Sequence, residues 1–283
     1  MPALPDVPRV RRSAARPRIG LAVAALAFGL VVVAALLAPW VAPVDPNAIA
    51  LGDSLAAPSA AHLFGADQLG RDVLSRAIHG ARVSLLIAAA TVLLAGGLGG
   101  ALGLVAGFAG GRIDAVVMRL ADMQLAFPAV ILAMALAGAV GIDTGLLVVV
   151  LASANWARFA RVVRSEALSL KTREFVLLAR LAGASPAWIA WRHVAPHLAG
   201  TFVVLATLDV GSVIVLEATL SFLGLGVQPP APSWGAMIAE GRGFLETAWW
   251  ISVMPGLLLV VTVLSANTLG DALRDWLNPS LPE

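Results

Sequence analysis

VSLLIAAATVLLAGGLGGALGLVAGFAGG, residues 83–111, lies between Arg82 and Arg112 and contains no charged residue. A helix needs about 20 predominantly apolar residues to cross a hydrocarbon core of about 30 Å. This stretch therefore predicts a membrane-spanning helix.

The rest of the chain is equally apolar. Of its 283 residues, 59% are hydrophobic and 13% are charged, and the mean hydropathy is +0.90, beyond what a soluble globular domain tolerates. Further spans are predicted at 19–41, at 123–142, at 144–157 with a charged continuation, from about Leu198 past Leu208, and at 247–270. We predict an all-α membrane protein with six transmembrane helices.

This assignment divides the chain into segments. They are an N-terminal tail (1–18), a first anchor (19–41), an outer segment with a short helix (42–82), a five-helix core (83–270) and a C-terminal tail (271–283). The apolar run of the anchor is too long for a typical signal-peptide core, so an uncleaved anchor is favoured over a cleaved signal peptide.

The distribution of basic residues predicts the orientation. With a cytoplasmic N-terminus, 15 of the 19 Lys and Arg residues fall inside, and Arg71, Arg76, Arg82 and Arg242 fall outside. The positive-inside rule then predicts that both termini are cytoplasmic. Arg158, Arg161 and Arg164, spaced by three, are interpreted as snorkelling side chains where the fourth span leaves the membrane.

Several functions are disfavoured. The chain has no cysteine, which excludes thiol chemistry and zinc fingers. The pI of about 10.3 accompanies a net charge of only +2 without a basic stripe, so nucleic acid is not an expected partner. The single lysine, Lys171, lacks the glycines of a P-loop. No HExxH or GxSxG motif supports an intramembrane enzyme, and the four histidines are scattered.

The glycines of the second span form small-xxx-small pairs at 96/100, 99/103 and 103/107. Such pairs let two helices approach closely. Packing within the chain and a subunit interface are both open.

In the predicted cytoplasmic segment 165–198, residues that begin and end helices predict two short helices. Thr172 is a candidate cap for the first, which Gly183 ends, whereas Ser185 and Pro186 begin the second and Pro196 ends it. Their apolar side chains need a covering surface, either a partner protein or the chain's own helix ends.

This segment resembles a known motif. REF at 173–175, AR at 179–180, GAS at 183–185 and RHVAP at 192–196 are similar to the EAA loop of ABC-importer permeases. HLFGADQLGRDVLSR at 62–76, GARVSL at 80–85, EATLSFLGLG at 217–226, the prolines with SWG that follow, and AWWISVMPG at 248–256 resemble the dipeptide/oligopeptide/nickel branch, in particular the second, short-tailed permease of each pair.

The resemblance implies a type I ABC-importer permease fold in the bacterial cytoplasmic (inner) membrane. It implies three kinds of partner: a second homologous permease, one or two cytoplasmic ABC ATPases, and a substrate-binding protein outside. This chain would bind no cofactor or metal, because ATP and magnesium belong to the ATPases. The implied ATPase-docking residues are Glu174, Ala179, Gly183, Ala184, Ser185, His193 and Pro196.

The chain departs from the family's loop at three positions. Leu177 stands where the family has an acidic residue, Leu178 where it has alanine, and His197 where it has asparagine. A polar contact with the ATPase through position 177 is therefore in doubt.

The outer segments and the fifth span supply candidates for the translocation path or its gate. In the outer segments, residues 70–80 predict a short helix in which Asp72 and Arg76 pair at i,i+4, Arg71 lies beside them, and Ser233 caps a helix beginning with Trp234. In the fifth span, Asp209 and Glu217 must face protein or water. For Asp209, attraction of a substrate amino group and an inter-helix contact are both open.

The function predicted from these observations is one half of the pore of an ATP-driven importer for di- or oligopeptides or similar small solutes such as glutathione or nickel complexes. The alternative is a secondary transporter or channel that works alone. Such proteins often contain repeated halves, and no convincing internal repeat is visible.

Overall fold

The computed structural model of the chain describes residues 18–140 and 143–277, and all regular secondary structure within them is helical. The α-helices are α1 (Arg18–Leu36), α2 (Ala38–Val41), α3 (Val73–Ala109), α4 (Gly111–Leu125), α5 (Ala129–Val140), α6 (Thr144–Leu170), α7 (Glu174–Leu181), α8 (Pro186–Ile189), α9 (Ala195–Phe222), α10 (Trp234–Gly241) and α11 (Trp250–Leu277). A π-helical turn covers Ala190–Val194, and 3₁₀ turns cover Leu51–Asp53 and Arg242–Phe244.

Within these residues α1, α3, α6, α11 and the continuous helix Pro186–Phe222, which contains α9, are each long and apolar enough to cross a membrane, and the bent pair of α4 and α5 gives a sixth span when it is counted as one. The six-span prediction is confirmed. The third span differs from the straight helix predicted at 123–142, because α4 begins at Gly111 and the chain bends by 94° before α5. Pro128 lies in this break, where it cannot continue the backbone hydrogen bonding of a helix.

The glycines of α3 pack against α6. A Cβ on Gly99 would lie 2.2 Å from the Trp156 carbonyl oxygen, and a Cβ on Gly103 would lie 2.3 Å from the Ala160 carbonyl oxygen. Only glycine allows the two backbones to come this close. For these positions the interpretation as packing within the chain is correct, whereas Gly97 faces open space.

The other long helices enclose this pair. Buried side chains of α3, α6 and α9, among them Val92, Phe159 and Ile214, form the central apolar cluster, and residues of α1 and α11 pack against it. The bundle therefore holds α6 and α9, the two helices that continue into segment 165–198, against a common core.

The short outer helix predicted at 70–80 is wrong as a separate element. The helix begins at Val73, where the Asp72 side chain caps it by accepting a hydrogen bond from the Ser75 backbone N–H at 2.8 Å. It then continues without interruption to Ala109. The segment ahead of it is held by the indole N–H of Trp250, which donates to the Ala66 carbonyl oxygen at 3.0 Å. The outer segment and α11 are thus joined.

The predicted tails fall partly outside the described residues. The N-terminal tail precedes α1, with only its last residue, Arg18, inside the description. The segment predicted as a C-terminal tail is helical as far as Leu277, because α11 extends to that residue.

Candidate functional site

The segment between α6 and α9 folds as two short helices, as predicted. Gly183 ends α7 in the left-handed conformation, with φ of 79°, and the Ala184 N–H returns to the Ala179 carbonyl oxygen at 3.1 Å. The Ser185 hydroxyl accepts from the Trp188 N–H and Pro186 occupies the first turn of α8. The cap predicted at Thr172 is wrong, because its hydroxyl donates to the Ser169 carbonyl oxygen instead.

Pro196 does not end the second helix. The chain passes from α8 through the π-helical turn directly into α9, and Pro196 lies in the first turn of α9, where a proline needs no hydrogen-bond donor. This continuity connects the loop mechanically to a membrane-spanning helix.

The two sides of α7 and α8 have different environments. Val176 and Ile189 are fully buried against Leu104 and Val163 of the bundle. Leu178, Leu181 and Trp188 lie on the opposite side with exposed fractions of 64%, 85% and 51%. Docking on the chain's own helices is therefore confirmed for one face, whereas the other face remains uncovered by the residues that the structure describes. We name the uncovered side, defined by Leu177, Leu178, Leu181 and Trp188, the coupling surface.

Five of the predicted docking residues, Ala179, Gly183, Ala184, Ser185 and His193, line one surface depression together with Leu178 and Trp188. Glu174, Gly183, Ser185 and Pro196 are exposed, and Ala179, Ala184 and His193 are half-buried. His193 packs edge-on against the Trp188 ring at 4.8 Å between centroids, which fixes the indole. Residue 177, where the family carries an acid, is a half-exposed leucine and makes the surface more apolar.

Sequence analysis missed two contacts that hold this loop to the bundle. The Lys171 ammonium donates to the Phe108 carbonyl oxygen at the end of α3, and the Arg180 guanidinium lies 5.6 Å from the Phe108 ring centroid. A single cation near an apolar residue 60 positions away carries no recognisable sequence signal. His197, another departure from the family, stacks on Phe175 at 4.9 Å.

The three arginines of α6, interpreted from the sequence as snorkelling side chains, are each paired with a carboxylate of another helix. Arg158 donates to Asp209 of α9 at 2.7 Å, Arg161 to Asp122 of α4, and Arg164 to Asp114 of α4 through two hydrogen bonds. Each successive turn of α6 is thus fixed to a carboxylate on another helix. For Asp209 the contact between helices is present, and its carboxylate does not face open space.

Four charged groups form a cluster beside the start of α3, which we name the outer cluster: Asp67, Arg71 and Arg76, which are buried, and Glu240, which is partly exposed. Asp67 accepts from Arg71 Nε at 2.6 Å and from Arg76 Nη1, and both guanidinium groups also reach Glu240 of α10 at 3.0–3.2 Å. The predicted Asp72–Arg76 pair is wrong, because Asp72 caps α3 and contacts His62. Asp67 and Glu240 were not singled out from the sequence.

The pKa of His62, which lies in the segment ahead of α3, is shifted by its neighbours. Its Nδ1 lies 3.0 Å from the Asp72 carboxylate, and this hydrogen bond raises the pKa of His62 above its ordinary value, assisted by the charges of Asp72 and Asp53. A protonated His62 therefore strengthens the cap of α3.

Two of the predicted path residues are internal. Glu217 is fully buried and accepts from the Ser84 hydroxyl at 3.0 Å and the Ser221 hydroxyl at 2.7 Å, which links α9 to α3. Trp234 is also fully buried, and its indole donates to the Ala77 carbonyl oxygen at 3.0 Å. The predicted cap at Ser233 is correct. Neither the Glu217 nor the Trp234 side chain is exposed to solvent.

Comparisons with known proteins agree with this architecture. The model of a protein family described as "Binding-protein-dependent transport system inner membrane component" matches residues 99–282. The chain is 42% identical over 258 residues to the di/tripeptide transport system permease protein DppC of Pseudomonas aeruginosa, covering 89% of this chain and 85% of that protein. It is 41% identical over 264 residues to the nickel transport system permease protein NikC of Escherichia coli, covering 93% and 95%.

Proposed function

Because the chain belongs to the family of binding-protein-dependent transport system inner membrane components, we propose that it is a permease subunit of an ATP-driven importer. It forms half of the translocation path together with a second, homologous permease. The proposed cargo is a di- or oligopeptide or a similar small solute such as a nickel complex or glutathione. The names of the similar permeases support peptides and nickel among these.

The coupling surface carries this proposal. Three large apolar side chains, Leu178, Leu181 and Trp188, are exposed: the first two lie on α7, which is not among the candidate membrane spans, and Trp188 lies in the first turn of the helix from Pro186 to Phe222. We propose that this end of the chain faces water. Exposure of such a patch to water is unfavourable by about 25 cal/mol per Å² of apolar surface, so a protein partner is expected to cover it. A cytoplasmic ATPase is the proposed partner.

The geometry also supports a route for ATP-driven motion. The coupling surface lies on a loop whose two ends continue into α6 and α9, and α6 is fixed to α4 and α9 by its three ion pairs. Displacement of the loop by an ATPase would therefore move helices that carry charged groups inside the membrane. We propose that both termini are cytoplasmic, since the loop then lies on the ATPase side.

A substrate-binding protein on the outer side and an inner-membrane location complete the proposal. The alternative, a secondary transporter working alone, gives no role to the coupling surface. It predicts solute movement in vesicles without any ATPase.

The test is copurification from mild detergent of an ATPase with the tagged chain, compared with the variant Gly183→Arg. Gly183 has φ of 79°, so any side chain there strains the turn between α7 and α8, although the space around it is open. The matched control is Gly243→Arg, an exposed glycine with ordinary φ near the outer end of the bundle.

Recovery of an ATPase with the native chain and with Gly243→Arg, and its loss with Gly183→Arg, is the expected result. ATP-dependent uptake into vesicles by the reconstituted complex is expected as well. Equal recovery with all three chains would place the contact elsewhere. Solute movement by this chain alone without ATP would overturn the proposal.

A further inference from the structure

The ion pair between Arg158 and Asp209 lies deep in the bundle. Arg158 follows the start of α6 by 14 residues, about 21 Å, and Asp209 follows the start of α9 by 14 residues, so both are near the middle of membrane-spanning helices. Charged groups at this depth face protein or water, because contact with lipid is costly. This pair therefore marks a water-facing or partner-facing side of the chain.

The two members of the pair are unequally buried. Asp209 is 1% exposed, whereas Arg158 is 52% exposed. The buried Asp209 carboxylate thus binds the guanidinium on the side that faces the bundle, and the opposite side of the guanidinium remains exposed. From the open side the pair presents a cation, not an anion.

The guanidinium also has unused hydrogen-bond donors. One bond, from Nη1 to Asp209 Oδ1, is the only one it makes to the residues that the structure describes, and Asp209 Oδ2 is buried without a partner among them. A guanidinium has five N–H donors and pairs best with planar oxyanions through two parallel hydrogen bonds. Arg158 is therefore able to bind a carboxylate while it keeps its contact with Asp209.

We propose that Arg158, positioned by Asp209, is a binding site in the translocation path for the carboxylate group of the transported solute. This inference rests on the proposed function and adds to it a class of substrate, solutes with a terminal carboxylate. It differs from one of the two readings left open by the sequence, in which Asp209 itself attracts a substrate amino group.

A nearby arginine provides the comparison. Arg161 is one turn further along α6 and is equally exposed, at 52%, but its partner Asp122 is 56% exposed. An exposed carboxylate competes for the guanidinium from the open side, so Arg161 lacks the one-sided geometry of Arg158. It is the matched control.

The test uses the whole importer, solubilised in detergent, with the single substitution Ser212→Cys as a reporter. The chain has no cysteine, and Ser212 is an exposed residue one turn beyond Asp209 on α9. A water-soluble maleimide labels the new thiol on this chain, and a solute bound at Arg158 slows the labelling. The probes are the dipeptide dialanine, with a free carboxylate, and dialanine amide.

Protection by dialanine at a concentration about tenfold lower than by its amide is the expected result, which corresponds to about 1.4 kcal/mol. Arg158→Gln should bring this ratio close to one, and Arg161→Gln should preserve it. If Arg158→Gln fails to assemble because Asp209 is left unpaired, the double variant R158Q/D209N removes both charges and should give the same loss of discrimination.

Three results would overturn the inference: no labelling of the thiol, equal protection by acid and amide, or a ratio that survives loss of Arg158. The labelling requires no turnover, so its readout does not depend on ATP-driven transport. ATP-driven uptake and ATPase recovery, measured on the same preparation, report failure of the importer assignment separately.

Discussion

Asp67→Asn should be strongly destabilising although the two side chains have the same shape. Asp67 is 1% exposed; its Oδ1 accepts from the Leu69 and Arg71 backbone N–H groups, and its Oδ2 accepts from the guanidinium groups of Arg71 and Arg76. Asparagine keeps the first two bonds but directs an NH₂ donor at two guanidinium donors. Breaking a buried ion pair in this way costs about 3–5 kcal/mol.

Thermal unfolding of the purified chain in detergent measures this cost. With about 2–4 °C per kcal/mol for domains of 150–250 residues, Asp67→Asn should lower Tm by about 6–20 °C. Glu240→Gln should cost less, roughly 1–2 kcal/mol, because Glu240 is 23% exposed and water replaces part of what it loses.

A second substitution tests the charge argument. Asp67→Asn leaves two cations facing one carboxylate, and adding Arg71→Gln restores one of each, so the double variant should recover part of the lost Tm. A smaller loss for Asp67→Asn than for Glu240→Gln, or a further loss in the double variant, would refute the reasoning.

Three further predictions concern packing, hydrogen bonding and pH. Gly103→Leu should prevent assembly of the bundle, because a Cβ there would lie 2.3 Å from the Ala160 carbonyl oxygen of α6. In size-exclusion chromatography in detergent this variant should lose the monodisperse peak of the native chain, whereas Gly97→Leu should keep it. Glu217→Ala should lower stability by about 2–4 kcal/mol, since two buried hydroxyls lose their acceptor, and an unchanged Tm would contradict this. His62 has a raised pKa, so its stabilisation is present below its ordinary value of 6.5 and is lost as pH rises through the folded-state pKa; the Tm difference between the native chain and His62→Gln should shrink over that range, and a constant difference would exclude the effect.

The spans other than the third were predictable because each follows from the local sequence alone. A charge-free apolar run of sufficient length dictates a membrane helix whatever surrounds it, and Gly183, Ser185 and Pro186 dictate local turns and caps. The 94° bend between α4 and α5 was not predicted, although Pro128 marks it, because the charged α4 lacks the apolar run on which the span search depends.

The polar contacts were not predictable for the opposite reason. Asp67 and Glu240 are separated by more than 170 positions, and their meeting depends on how the outer segment folds over α10. Local rules gave the wrong partner for Arg76, since i,i+4 spacing favours Asp72, whereas Asp72 was already engaged as the cap of α3. Where several acceptors compete, burial and backbone geometry decide, and neither is visible in one segment.

The three arginines of α6 show how one sequence pattern supports different roles. Their regular spacing suggested that all three side chains have the same role at the membrane surface. Their partners, however, are buried to different degrees: Asp209 is 1% exposed, Asp114 19% and Asp122 56%. An ion pair is screened in proportion to its exposure, so the three contacts hold α6 with different strengths although their lengths are similar. Arg158 therefore has a fixed position and an open face, as a binding site in a path requires. Arg164, bound to Asp114 by two hydrogen bonds near the end of α6, is suited to transmitting motion of the coupling surface to α4.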